Sequence, residues 1–179
     1  MKAGGRGGAN TKTGLRFEAR ADFLLVLDAV PGYSVTPNGK DDNIVLFDGK
    51  PVARHLRKHA LYRFLKAECG INSEEILSKK LLPDDAVLVE KTRTLHIVEM
   101  KFQGTPGSVD EKLQTCHFKK RQYEKLVKAA GLKIEYMYIL NDWFKDPAYY
   151  DVLAYIKEVG CDYFFEVLPL STLDLPSRQ

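Results

Sequence analysis

The residues with the clearest chemical potential are Asp84, Glu99 and Lys101. Asp84 follows Pro83 and precedes the apolar run Ala86-Val87-Leu88-Val89, while Glu99 and Lys101 close a second run, Leu95-His96-Ile97-Val98. Both runs read as β-strands, and the polar Lys91-Thr92-Arg93-Thr94 between them reads as the turn of an antiparallel hairpin. Side chains alternate along a strand, so Glu99 and Lys101 share one face while Val98 and Met100 take the other. Hairpin pairing can then bring Asp84 to Glu99, so that two carboxylates and an ammonium converge at a sheet edge. The carboxylates and the Met100 backbone carbonyl are hard oxygen donors of the kind Mg²⁺ takes, with water completing its shell. A cation held this way neutralises phosphate charge, lowers the pKa of a bound water and stabilises a leaving oxygen, as phosphodiester hydrolysis requires. Lys101 can position that water, help its deprotonation or stabilise the pentavalent transition state electrostatically.

Pro83-Asp84 followed by Glu99-Met100-Lys101 resembles the signature of the PD-(D/E)XK nuclease superfamily, and residues 83–126 as a whole are similar to small type II restriction endonucleases. The resemblance implies an α/β restriction-endonuclease-like core, a central mixed β-sheet flanked by α-helices. It also implies sequence-specific cleavage of double-stranded DNA with Mg²⁺, for which Mn²⁺ would substitute, and a homodimer that cuts both strands. Asp85 also follows Pro83 closely; Asp84 is preferred because it stands directly after the proline, as in the family pattern. Members often send an acid from the first helix to the metal, which makes Glu18 a further candidate. Gln122 resembles residues that orient the metal site in related nucleases. A Holliday-junction resolvase, a DNA-repair nuclease of the same fold and a non-catalytic DNA-binding module are the alternatives.

The surrounding elements follow from local pattern. Residues 1–12 are Gly-rich and basic and read as a mobile arm before a single domain over 13–179. Thr13 is a plausible N-cap for a helix over 14–29, with Leu15, Ala19, Phe23 and Val26 on one stripe and Pro31-Gly32 as its stop. Residues 44–47 and 50–52 flank Asp48-Gly49, a two-residue hairpin turn. A basic helix is predicted over 54–68, with Arg54, Arg57 and Lys58 near its start and His55 and His59 one turn apart. Those two histidines lack a third ligand, so a structural or DNA-facing role is expected. Asn72 and Glu75 resemble a capping box. The strongest helical pattern covers 109–130 and ends at Gly131. A strand at 134–140, a helix near 147–159 and a strand at 163–168 complete an α/β or α+β chain with a mixed sheet.

Charge is unevenly distributed along the 179 residues. Residues 1–133 hold 24 basic and 16 acidic side chains, a balance of +8, and residues 134–179 hold 3 and 8, a balance of −5. An electropositive face of this kind suits a polyanion. Arg6 and Lys12 in the arm, Arg54, Arg57 and Lys58, and Lys119, Lys120 and Arg121 on the 109–130 helix are the expected phosphate contacts. The hydrophobic content of 45% and aromatic content of 11% exclude a disordered or collagen-like chain. No apolar run approaches a membrane span. The N-terminus lacks a secretory apolar core, and three separated cysteines, Cys69, Cys116 and Cys161, suggest reduced thiols. A cytoplasmic protein without membrane association, and with no small-molecule cofactor besides a metal, is therefore expected.

Overall fold

The computed structural model describes residues 14–17, 22–105 and 109–178. Its centre is a seven-stranded mixed sheet in the order β2-β3-β4-β5-β6-β7-β8. The strands are β2 (Tyr33–Gly39), β3 (Asp42–Phe47), β4 (Lys50–Leu56), β5 (Asp85–Val89), β6 (Thr94–Lys101), β7 (Lys133–Leu140) and β8 (Asp162–Phe165). Pairing is antiparallel from β2 to β6 and parallel from β6 to β8. The parallel pairs need crossovers, which helices supply. Helix α5 (Cys116–Val127) returns the chain from β6 to β7, and α6 (Tyr150–Glu158) returns it from β7 to β8.

Each sheet face buries its own apolar cluster. Leu95, Ile97, Tyr136 and Tyr138 face α2 (His59–Cys69), α5 and α6. Val87, Val98, Met137 and Ile139 face α1 (Phe23–Asp28) and the C-terminal residues Leu168, Leu170 and Leu173. Because strands β5, β6 and β7 are covered on both sides, they read as continuous apolar runs rather than alternating ones. Among the described residues no helix is long and apolar enough to cross a membrane.

Several local expectations hold. Asp48 and Gly49 turn between β3 and β4 at φ 47° and 76°, the left-handed values such a hairpin demands. Gly32 sits at φ 96°, and a Cβ there would lie 2.9 Å from the Phe47 ring, so the stop after α1 needs glycine twice over. Asn72 caps the short helix α3 (Ser73–Ile76) and bonds Glu75 at 2.7 Å.

Others are corrected. In place of a helix over 14–29, Gly14–Arg16 forms strand β1, paired antiparallel with β9 (Val167–Pro169) so that Leu15 opposes Leu168. Helix α1 starts only at Phe23, where the Asp22 carboxylate accepts from the Leu24 N–H at 2.9 Å. The Leu15 and Phe23 spacing fits a helix locally, but burying Leu15 against a strand from the far end of the chain overrides it. The basic helix over 54–68 is also shorter. Residues 50–56 continue β4, with Arg54 opposite Leu88 and His55 opposite Val87, and α2 begins at His59 after Lys58 at φ 48°. The helix over 109–130 divides into α4 (Val109–Leu113) and α5, with the Thr115 hydroxyl donating to the Lys112 carbonyl at 2.7 Å between them. Glu166, at φ 55°, divides the last strand into β8 and β9.

Candidate active site

The register of β5 and β6 decides which aspartate joins Glu99. Asp85 pairs with Val98. It shares the parity of Val87 and Val89, so its side chain lies on the α1 face of the sheet, where it is buried. Asp84, one residue earlier, therefore takes the α5 face with Glu99 and Lys101. Asp84 remains 51% exposed, whereas the Glu99 side chain is 7% exposed.

The three oxygens singled out as cation donors gather around one ammonium. Lys101 Nζ lies 3.5 Å from Asp84 Oδ2, 3.0 Å from Glu99 Oε2 and 3.3 Å from the Met100 carbonyl oxygen. A second ammonium completes the cluster: Lys119 Nζ donates to Glu99 Oε1 and Oε2 at 2.9 and 2.8 Å. Burial would raise the Glu99 carboxyl, but Lys101 and Lys119 together outweigh it and hold it below the usual carboxylate range. The Tyr136 hydroxyl also faces Glu99; it is buried without a geometrically complete hydrogen bond, and burial pushes its pKa up. Tyr136 packs edge-on against Tyr138, with ring centroids 5.5 Å apart, to floor the site.

Backbone contacts fix the rim. The Leu81 carbonyl accepts from Tyr62 at 2.6 Å and Tyr123 at 3.2 Å, and the Pro83 carbonyl accepts from the Lys58 N–H at 3.1 Å. Beyond β6, the Asn141 amide and the Gln103 backbone bond each other in both directions, at 3.1 and 2.7 Å. The cluster thus sits at the carboxyl end of a parallel strand, where α/β sheets commonly present their sites.

On the other face Asp85 belongs to a different assembly. His55 Nε2 lies 2.7 Å from Asp85 Oδ1, Arg57 Nε donates to the same oxygen at 2.9 Å, and Arg57 continues to Asp22 at 2.7 Å. The Phe23 ring stacks on His55 with centroids 5.4 Å apart. Strand alternation converts the anchoring of Asp85 here into the direction of Asp84 on the opposite face.

Other expected site residues are distributed differently. Glu18, Arg6 and Lys12 lie outside the described residues. Gln122 lines a hollow with Leu132, Ile134 and Glu135 near the start of β7, away from the acid pair at the end of β6. Arg54 is bound by Asp42 through two hydrogen bonds at 2.9 and 2.7 Å and also pairs with Glu68. Arg57 is held by Asp22 and Asp85 as described, so neither arginine is an unpaired phosphate contact. Lys119 serves Glu99, and Lys120 donates to the Gly160 carbonyl at 2.6 Å. Lys58 and Arg121 are exposed, Arg121 with Glu124 at 3.3 Å. His55 lies on β4, so it does not share a helix face with His59. The role of Lys119 had a sequence signal: it lies three residues after buried Cys116 and four before buried Tyr123, within the inward face of α5.

The donor chemistry fits a hard divalent cation. Two carboxylates and a carbonyl already converge on one positive charge, and Asp84 leaves the cluster open to solvent. Among the described residues no three His, Cys, Asp or Glu side chains gather as a metal-ligand group, so water would supply the remaining positions. No family model matches the sequence, and no curated protein or solved structure matches the chain.

Proposed function

We propose that the chain is a Mg²⁺-dependent, sequence-specific endonuclease of double-stranded DNA, built on a restriction-endonuclease-like core and acting as a homodimer in the manner of type II restriction enzymes. The observation that carries the proposal is the ring of Asp84, Glu99 and Met100 oxygens around the Lys101 ammonium. The β5–β6 hairpin followed by two helical crossovers supports the core assignment.

In this reading Asp84, Glu99 and the Met100 carbonyl would hold Mg²⁺ or Mn²⁺, with the Lys101 ammonium giving up the place it takes among those oxygens in the metal-free chain. When bound, the ion supplies phosphate charge neutralisation and a water of lowered pKa. Lys101 places positive charge beside the attacking water and the phosphate oxygens, where it orients the one and stabilises charge on the other. Lys119 and Tyr136 keep Glu99 ionised and aimed.

The test is incubation of the protein with plasmid DNA and Mg²⁺, beside an EDTA control and the Lys101→Ala and Asp84→Asn variants. Discrete fragments are expected, with each variant slower by roughly a hundredfold or more. Cleavage of branched DNA without regard to sequence would instead identify a junction resolvase, and binding without turnover a non-catalytic module. Sedimentation of the complex tests the dimer.

A further inference from the structure

We infer that the phosphodiester backbone of the substrate reaches Asp84 along a cationic groove between α2 and residues 72–82, rather than along the outer face of α5; the inference rests on the nuclease reading. The groove, a cavity of about 220 Å³, is lined by His59, Tyr62, Arg63, Lys66 and Lys80, with Glu74 as its one acid. His59, Arg63 and Lys66 follow one another at helical spacing on a single face of α2. An adjoining hollow of about 440 Å³ shares His59 and Lys80 and adds Lys79 and Leu82.

Three observations favour this side. The first is charge left uncompensated. Arg63 donates to the neutral Lys40 carbonyl and meets Asp42 only as a longer-range charge, and among the described residues Arg63, Lys66 and Lys79 form no ion pair within 4.0 Å. Lys80 meets Glu74 at 3.1 Å in a solvent-screened pair that competes weakly with a phosphate. The second is continuity with the site. The adjoining hollow reaches Leu82, two residues before Asp84, and the carbonyls on either side of it, Leu81 and Pro83, are tied to Tyr62 and Lys58.

The third is the poorer case for the rival surface. A hollow of about 810 Å³ beside α5 does hold Arg121, Lys125, Lys128 and Lys133, but Glu124 and Glu135 share it. Glu99 pairs with Tyr138, whereas that hollow is floored by Ile134, four residues or roughly 13 Å back along β7. The α5 lysines nearer the site are engaged, Lys119 by Glu99 and Lys120 by Gly160.

The experiment is fluorescence anisotropy of a labelled duplex of about 30 base pairs in EDTA, titrated between roughly 50 and 200 mM salt. The Arg63→Ala/Lys66→Ala double variant should bind about tenfold more weakly and lower the salt slope by about 2, near 0.9 for each phosphate that is no longer neutralised. Lys125→Ala/Lys128→Ala should change affinity less than twofold. All four side chains are exposed, and thermal melting verifies that both variants fold. The charge-conserving Arg63→Lys/Lys66→Arg variant should restore the slope. Equal or reversed losses, or no binding of duplex by the unaltered chain, overturn the groove. If the groove variant loses affinity but Mg²⁺ produces no cleavage, the nuclease reading fails and the groove stands. If DNA is cut while that variant binds normally, the groove alone fails.

Discussion

Both carboxylate oxygens of Glu99 accept hydrogen bonds from the Lys119 ammonium, at 2.9 and 2.8 Å, so the buried acid is held by a helix on the same side from which Lys101 approaches it. A residue that the local pattern places among surface cations is thereby part of the acid cluster. Its charge competes with any cation that Glu99 would bind. Lys119→Gln should therefore tighten Mn²⁺ binding about fivefold, corresponding to about 1 kcal/mol of relieved competition. Calorimetric titration of Mn²⁺ into the variant checks this, and unchanged or weaker binding would show that Lys119 does not compete.

The adjacent aspartates should respond in opposite ways to the same substitution. Asp85 is 1% exposed and holds His55 and Arg57, so Asp85→Asn breaks a buried charged network at a cost of about 3 to 5 kcal/mol. A loss of roughly 10 °C in Tm is expected for a chain of this length. Asp84 is half-exposed and at 3.5 Å from Lys101, so Asp84→Asn should leave Tm within about 2 °C while removing Mg²⁺-dependent cleavage. Thermal melts beside plasmid cleavage measure both. A large loss of stability in the Asp84 variant would mean that the structure needs that acid as much as the chemistry does.

Acid should weaken the fold in two windows. Burial holds the His96 imidazole below its ordinary value, against a partial opposing pull from Asp174. The unfolded chain therefore takes up that proton first, and stability falls as pH drops below about 6.5. Glu99 is also depressed: burial opposes its charge, but Lys101 and Lys119 prevail. Its stabilisation is present at neutral pH and is lost as pH falls below about 4.3 toward the lower native value. Urea midpoints measured from pH 7 to 3 should lose the upper limb in His96→Asn and the lower limb in Glu99→Gln. Parallel curves for the unaltered chain and either variant would remove that residue from the account.

Tyr136→Phe isolates the hydroxyl that faces Glu99. Because that hydroxyl is buried without a complete hydrogen bond, its removal should change stability by no more than about 1 kcal/mol. The acid limb assigned to Glu99 should move toward higher pH, since one group favouring the carboxylate is gone. Urea unfolding across the acid range reads both effects, and a limb that stays in place would deny the contact a role.

Much of the scaffold was legible along the chain because its signals are local. The Asp48-Gly49 turn, the Asn72 cap, the left-handed Gly131 and the apolar runs of β5 and β6 each need only their neighbours to specify them. The spacing of Glu99 and Lys101 likewise determines that they share a face. Only the tertiary structure decided that Asp84 rather than Asp85 joins that face, because this depends on the pairing of Asp85 with Val98. It also decided that Leu15 lies in a strand with a partner opposite Leu168, that Arg54 and Arg57 belong to internal ion pairs, and that Lys119 reaches Glu99 across 20 residues of sequence. Periodicity reports which side of an element is apolar. The partner that covers that side, and the charge waiting there, come from segments distant in the chain.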